Sequence, residues 1–161
     1  VAEWNRKPTD LDVGTAGEHL VCADLLLAGY VAFRTEQTCA YDVAVDLGGR
    51  LIRIQVKSTR APVAASPRPV SYLWRVQRMG KGGRHVYHED SFDLLALVAL
   101  DIRRVAYLPQ STQRVMVRLR PPEMPGGEQF SDYPIGRAIG HVLGDPVPDV
   151  AGLAAGEGGE R

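Results

Sequence analysis

Residues 41–58, YDVAVDLGGRLIRIQVKS, decide how the chain folds. Two alternating apolar runs, Val43–Leu47 and Leu51–Val56, flank the dipeptide Gly48-Gly49. A two-residue hairpin loop needs positive φ at one or both positions, which Gly adopts without steric cost. With Gly48 and Gly49 as the loop, Leu47 pairs with Arg50 and Asp42 lies opposite Gln55. Directly opposed side chains share a face of an antiparallel pair. Lys57, two residues beyond Gln55, shares it too. A loop one residue longer or shorter would move Asp42 to the other face. That other face, Ile52, Ile54 and Val56, is wholly aliphatic and belongs to the core. The polar patch then has two readings. It is a solvated cross-strand ion pair of little energetic weight, or a functional grouping of a carboxylate, an amide and an ammonium.

The chain of 161 residues reads as one domain over 1–143, with a Gly-, Ala-, Pro- and acid-rich tail over 144–161 expected to be disordered. No apolar run approaches the roughly 18 residues of a membrane span. Val1–Lys7 lacks the apolar segment of a secretory signal. Cys22 and Cys39 lack metal spacing and read as buried free thiols, consistent with a reducing cytoplasm. Net charge is zero but unevenly spread. Residues 1–49 carry three Lys/Arg against eight Asp/Glu, residues 50–120 fourteen against four, and residues 121–161 two against seven. The basic middle block begins at the second hairpin strand. It suggests a polyanionic partner, against the plainer reading that Arg decorates exposed strands.

Upstream, Thr9 reads as an N-cap with Asp12 as its capping-box partner. A helix is predicted over Asp10–Ala28, stopped by Gly29, with Val13, Ala16, Leu20, Ala23 and Leu27 as its core stripe. Gly14 and Gly17 each cost about 1 kcal/mol in a helix relative to Ala. Their presence suggests that a backbone or a ligand comes close. Tyr30–Thr35 reads as the first strand. After the hairpin, Pro62, Pro67 and Pro69 point to an irregular stretch. Val70–Gln77 reads as a strand, and Arg78–Arg84 as a basic glycine-rich loop, either a plain connection or a phosphate contact. Tyr87–Ser91 suits a helical turn. Leu94–Leu100 reads as a buried strand and Val105–Leu108 as its companion. Ser111 can cap a turn before a strand over Val115–Leu119, and Pro134–Leu143 suits a small helix. His85, His88, Glu89 and Asp90 lack the frame of a zinc site.

Gly14-x-x-Gly17-Glu18 on the first helix, Tyr41-Asp42 on the second strand and Gln55-x-Lys57-Ser58 on the third form one pattern. Tyr87 with Phe92-Asp93 extends it more weakly. Over about residues 10–110 the chain resembles the PD-(D/E)XK nuclease superfamily. It is most similar to the small QxK branch, which includes a homing endonuclease of a cyanobacterial intron, and more distantly to archaeal Holliday junction resolvases. The fold this implies is α/β (α+β), a restriction-endonuclease-like core with a mixed, mostly antiparallel sheet and the N-terminal helix packed on it.

The resemblance implies a Mg²⁺-dependent DNA endonuclease, with Mn²⁺ as a substitute, acting in the cytoplasm. Alternatives on the same fold are a structure-selective junction resolvase and an inactive nucleic-acid-binding module. Asp42 would be the central metal ligand, with Glu18 joining from the helix. The Gln55 amide oxygen replaces the usual acidic ligand without its charge, and the Val56 carbonyl contributes. Lys57 would orient the attacking water and offset charge on phosphorus. Double-stranded DNA would lie against Ser58, Arg75, Gln77, Arg78, Lys81 and Arg84. A homo-oligomer, dimer or tetramer, would bring two sites to the two strands. Asp46 is a weaker candidate, and Asp93 suits a structural pairing with a nearby Arg.

Overall fold

The structure, a computed structural model, describes residues 6–80, 83–85, 87–88, 90–110 and 114–145; of residues 78–80, 84 and 85 the backbone alone is described. Helix α1 spans Asp10–Leu27 and opens on the expected box. Asp12 N donates to Thr9 Oγ1 at 3.3 Å, and Thr9 N donates to Asp12 Oδ2 at 2.7 Å. Strand β1 (Val31–Arg34) follows, then β2 (Val43–Asp46) and β3 (Leu51–Thr59). The hairpin takes the expected register, with Asp46 opposite Leu51 and Val43 opposite Ile54. Gly48 and Gly49 hold φ of 77° and 152°. Asp46 serves the turn, its Oδ1 accepting from Gly48 N at 2.7 Å.

Strand β8 (Leu94–Ala99) lies parallel to β3, and β9 (Arg104–Pro109) lies antiparallel to β8. The large sheet therefore runs β1-β2-β3-β8-β9, mixed and mostly antiparallel, with α1 packed on one face. The core beneath α1 holds Val21, Leu25, Val43, Val45, Ile52, Ile54 and Val56. A second core on the opposite face joins Leu95, Leu97, Ala106 and Leu108 to Tyr72, Trp74, Val117 and Leu119. Those partners belong to a small sheet of β4 (Val63–Ala65), β5 (Arg68–Arg75) and β10 (Met116–Leu119), ordered β10-β5-β4. Strand β8 is thus buried on both faces, which is why its sequence is continuously apolar. Helix α2 (Ile135–Leu143) buries Ala138 and Ile139 under β9. Among the described residues no helix is long and apolar enough to cross a membrane.

Four expectations change. The α1 core stripe is Gly17, Val21 and Leu25, while Ala16, Ala23 and Leu27 are exposed. The helix is apolar on several sides, so periodicity alone does not choose its face. Gly14 has no atom within 4 Å of where its Cβ would be, so the close approach belongs to Gly17. The proline-bearing segment is not irregular throughout: β4 pairs with β5, and Pro69 lies inside β5. Strand β10 pairs only with Tyr72–Arg75, so at Pro69 β5 has a neighbour on one side alone and tolerates the missing N–H. Finally, Cys22 is half-buried and Cys39 exposed, both free. Cys39 sits in a surface turn closed by its own N–H on Glu36 O at 2.9 Å. The basic segment after β5 forms a hairpin, β6 (Arg78–Gly80) and β7 (Gly83–His85). Lys81, Glu89, the Ser111 cap and the tail beyond Asp145 lie outside the described residues.

Candidate active site

The site forms where β2 begins beside β3. Asp42 immediately precedes β2, and its N–H donates to Ile54 O at 3.0 Å. Its Oδ2 accepts from Val56 N at 2.7 Å and from the Gln55 amide, the pairing the hairpin register requires. Oδ1 accepts no hydrogen bond among the described residues. Burial pushes the Asp42 carboxyl above its ordinary range. The Val56 N–H pulls it down, Glu18 pushes it up, and Lys57 and Gln55 pull it down again, leaving it raised. Glu18, Asp42, Gln55 and Lys57 thus share one electrostatic neighbourhood.

Glu18 reaches this place because Gly17 lets α1 settle onto β3. A Cβ on Gly17 would stand 1.8 Å from Ser58 Oγ and 3.0 Å from Ser58 Cβ. Glu18 is held by Arg34 of β1, whose Nη2 and Nε lie 2.5 and 2.9 Å from Oε2. Arg34 Nη1 also lies 3.1 Å from His19 Nε2. A guanidinium has donors only, so in a hydrogen bond here Arg34 donates and the ring nitrogen accepts. Arg34 and His19 are absent from the sequence reading. The irregular connection from Thr35 to Tyr41 hides the register that brings β1 against Asp42.

Lys57 Nζ donates to Gln77 O at 3.2 Å and stands 5.2 Å from the centre of the Tyr87 ring. Tyr87 packs edge-to-face on buried Phe92, with ring centres 5.1 Å apart. Asp93 clasps β3, its carboxylate taking Arg53 N at 2.7 Å and the Arg53 guanidinium at 3.0 and 3.1 Å. The weaker motif Tyr87…Phe92-Asp93 therefore supports the lysine and joins β8 to β3.

The nucleic-acid candidates separate. Ser58 does not lie with Lys57: its Oγ is buried beneath Gly17 and has no hydrogen-bond partner among the described residues. This follows from strand alternation, which sends Val56 and Ser58 to the helix face. Gln77 lies beside Lys57 through its carbonyl, and Arg75 is exposed two residues before it. The backbones of Arg78 and Arg84 belong to the hairpin that follows. The Val56 carbonyl receives the Gln55 amide at 3.5 Å.

A family model described as PD-(D/E)XK endonuclease matches residues 9–129, from the cap of α1 past β10. The chain belongs to the PD-(D/E)XK endonuclease family. A bacterial homing endonuclease has a similar fold, with a TM-score of 0.59 at 17% identity over 79% of this chain and 88% of that one. Hjc of Archaeoglobus fulgidus, a Holliday junction resolvase, gives a TM-score of 0.45 at 16% identity over 82% and 96%. No curated protein matches the chain.

Among the described residues no three His, Cys, Asp or Glu side chains gather to hold a metal by themselves. The donors present are Asp42 Oδ1, the free oxygens of Glu18 and Gln55, and the Val56 carbonyl. These are hard oxygen donors with two carboxylates, the set a Mg²⁺ ion takes when it keeps several waters.

Proposed function

We propose that the chain is a Mg²⁺-dependent endodeoxyribonuclease that hydrolyses phosphodiester bonds in double-stranded DNA, with Mn²⁺ able to replace Mg²⁺. The observation that carries this reading is the half-buried Asp42 carboxylate held by the Gln55 amide and the Val56 N–H, with Glu18 and Lys57 near enough to act on its charge. Asp42, Glu18, Gln55 and the Val56 carbonyl would hold the metal. When bound, it supplies Lewis-acid polarisation of the scissile phosphate and a more acidic water. Lys57, braced by Gln77 O and the Tyr87 face, orients the attacking water and meets negative charge growing on the phosphate oxygens. Gln55 holds Asp42 through its amide and adds no charge, so metal binding is weaker than at a site with three carboxylates. Arg34 fixes Glu18 from β1.

Arg75, Gln77, Arg78, Lys81 and Arg84 supply contacts to the DNA backbone and base edges. A homo-oligomer, dimer or tetramer, would set two such sites on the two strands. Homing-endonuclease-like and junction-resolving roles differ in substrate rather than chemistry, and both are favoured over an inactive binding module because no member of the Glu18, Asp42 and Lys57 set is missing. The test is cleavage of supercoiled plasmid and of a four-way junction, with Mg²⁺ or EDTA. Wild type should cut only with metal, and Asp42→Ala should lose at least about a hundredfold in rate while still binding DNA. Equal cutting by both proteins would refute the reading.

A further inference from the structure

Of the outer face of the small sheet, Arg75 alone has so far been given a role. Tyr72 and Trp74 of β5, and Val117 and Leu119 of β10, point into the second core. Alternation sends Leu73, Arg75, Met116 and Arg118 to the other side. Arg75 and Met116 sit opposite one another and are both exposed, as is Val63 of β4. On this side Ser71 is buried and Leu73 and Arg118 are half-buried, so the face is open at Arg75, Met116 and Val63. Strands β4, β5 and β10 carry Arg68, Arg75 and Arg118 and no Asp or Glu. Among the described residues none of the three arginines has a carboxylate partner, and Arg118 reaches Ser71 Oγ, at 3.4 Å, and Met116 Sδ, at 3.8 Å. Elsewhere the exposed guanidinium groups of Arg6, Arg60 and Arg114 do carry carboxylate partners.

These arginines are spaced along the strand direction. Arg75 lies at the site end, two residues from the carbonyl that receives Lys57. Arg118 stands opposite Leu73, and the register shift between Val63↔Ser71 and Ala65↔Arg68 puts exposed Arg68, at the far end of β5, on the side of Ser71 and Arg75. Arg68 and Arg75 are seven residues apart, about 23 Å at ~3.3 Å per residue. That is the length of about seven base pairs of duplex.

We infer that the small sheet is a second DNA surface, holding the duplex that flanks the cleaved bond through phosphate contacts from Arg75, Arg118 and Arg68. The inference rests on the nuclease reading above and extends its substrate contacts away from the reacting centre. Guanidinium groups without a carboxylate partner among the described residues suit phosphate oxygens and carry no base code.

The experiment measures binding without metal, across salt concentration, to duplexes of about 10 and about 25 base pairs. It uses wild type, Arg68→Ala/Arg118→Ala and Arg68→Lys/Arg118→Lys. Wild type should bind the long duplex more tightly and with the steeper salt dependence. The alanine pair should weaken long-duplex binding about tenfold and flatten its salt slope by about two units. Binding and Mg²⁺-dependent cleavage of the short duplex should stay near wild type, and the lysine pair should recover most of the slope. Long-duplex binding unchanged in the alanine pair would overturn the inference, as would an equal loss on both duplexes or no length dependence in wild type. Failure of the nuclease reading shows separately, as cleavage that survives Asp42→Ala.

Discussion

Asp42 is an ionisable group the fold strains. Burial raises its carboxyl more than its hydrogen bonds lower it. A carboxyl raised by folding destabilises the folded protein when ionised. That penalty is absent while both folded and unfolded forms are protonated, and grows as pH rises from the unfolded toward the folded value. In EDTA, Asp42→Asn should therefore melt above wild type at neutral pH, and the gap should close as pH falls through the ordinary carboxylate range near ~4. A gap that widens in acid would contradict the burial argument. Lys57→Ala should separate chemistry from binding: single-turnover cleavage should stop while affinity and salt slope stay close to wild type. Asp42, Gln55 and Lys57 were legible in the sequence because Gly48-Gly49 allowed one register. Arg34 was not, since its approach to Glu18 is set by packing of β1 and α1 rather than by spacing.

At the scale of elements, Gly17 and Ser58 set how closely α1 meets β3. Gly17→Ala places a methyl group into the Ser58 side chain and should destabilise the protein by about 1–3 kcal/mol in denaturant unfolding. Ser58→Gly should restore much of the loss, since the clash is with that side chain. Without such rescue, the contact is not what holds the helix close. The Arg53–Asp93 clasp works between β3 and β8. Burial pushes the Asp93 carboxyl up, but the Arg53 guanidinium and N–H outweigh it and hold it below the usual range. Stability from a depressed carboxyl is present above the unfolded pKa and lost as pH falls through the folded one. Asp93→Ala should cost about 1.5–3 kcal/mol at neutral pH. The difference from wild type should shrink in acid below the ordinary carboxylate range. The helix cap, the hairpin and the double burial of β8 could all be read from local pattern. The buried face of α1 could not, because an apolar, glycine-bearing helix gives periodicity no contrast.

Over the whole molecule, the large sheet and its helix matched the expected class, whereas the small sheet as a third layer did not announce itself. Strands β5 and β10 are separated by the rest of the fold, and only tertiary packing pairs them. The expected domain limit near residue 143 would fall at the end of α2, which buries Ala138 and Ile139. A chain ending at Asp145 should unfold at the same denaturant midpoint as the full chain; a lower midpoint would move the boundary outward. The parallel pairing of β3 with β8 also bears on how the protein assembles in time. Glu18, Asp42, Gln55 and Lys57 come from α1 and one local hairpin, so the carboxylates and the lysine meet through short chain closures. Strand β8 must cross the whole β4–β7 excursion before it covers the open edge of β3, a slower closure. A nascent chain should therefore hold the proposed cleavage centre before it has a finished core. During that interval the bare β3 edge is its most aggregation-prone surface.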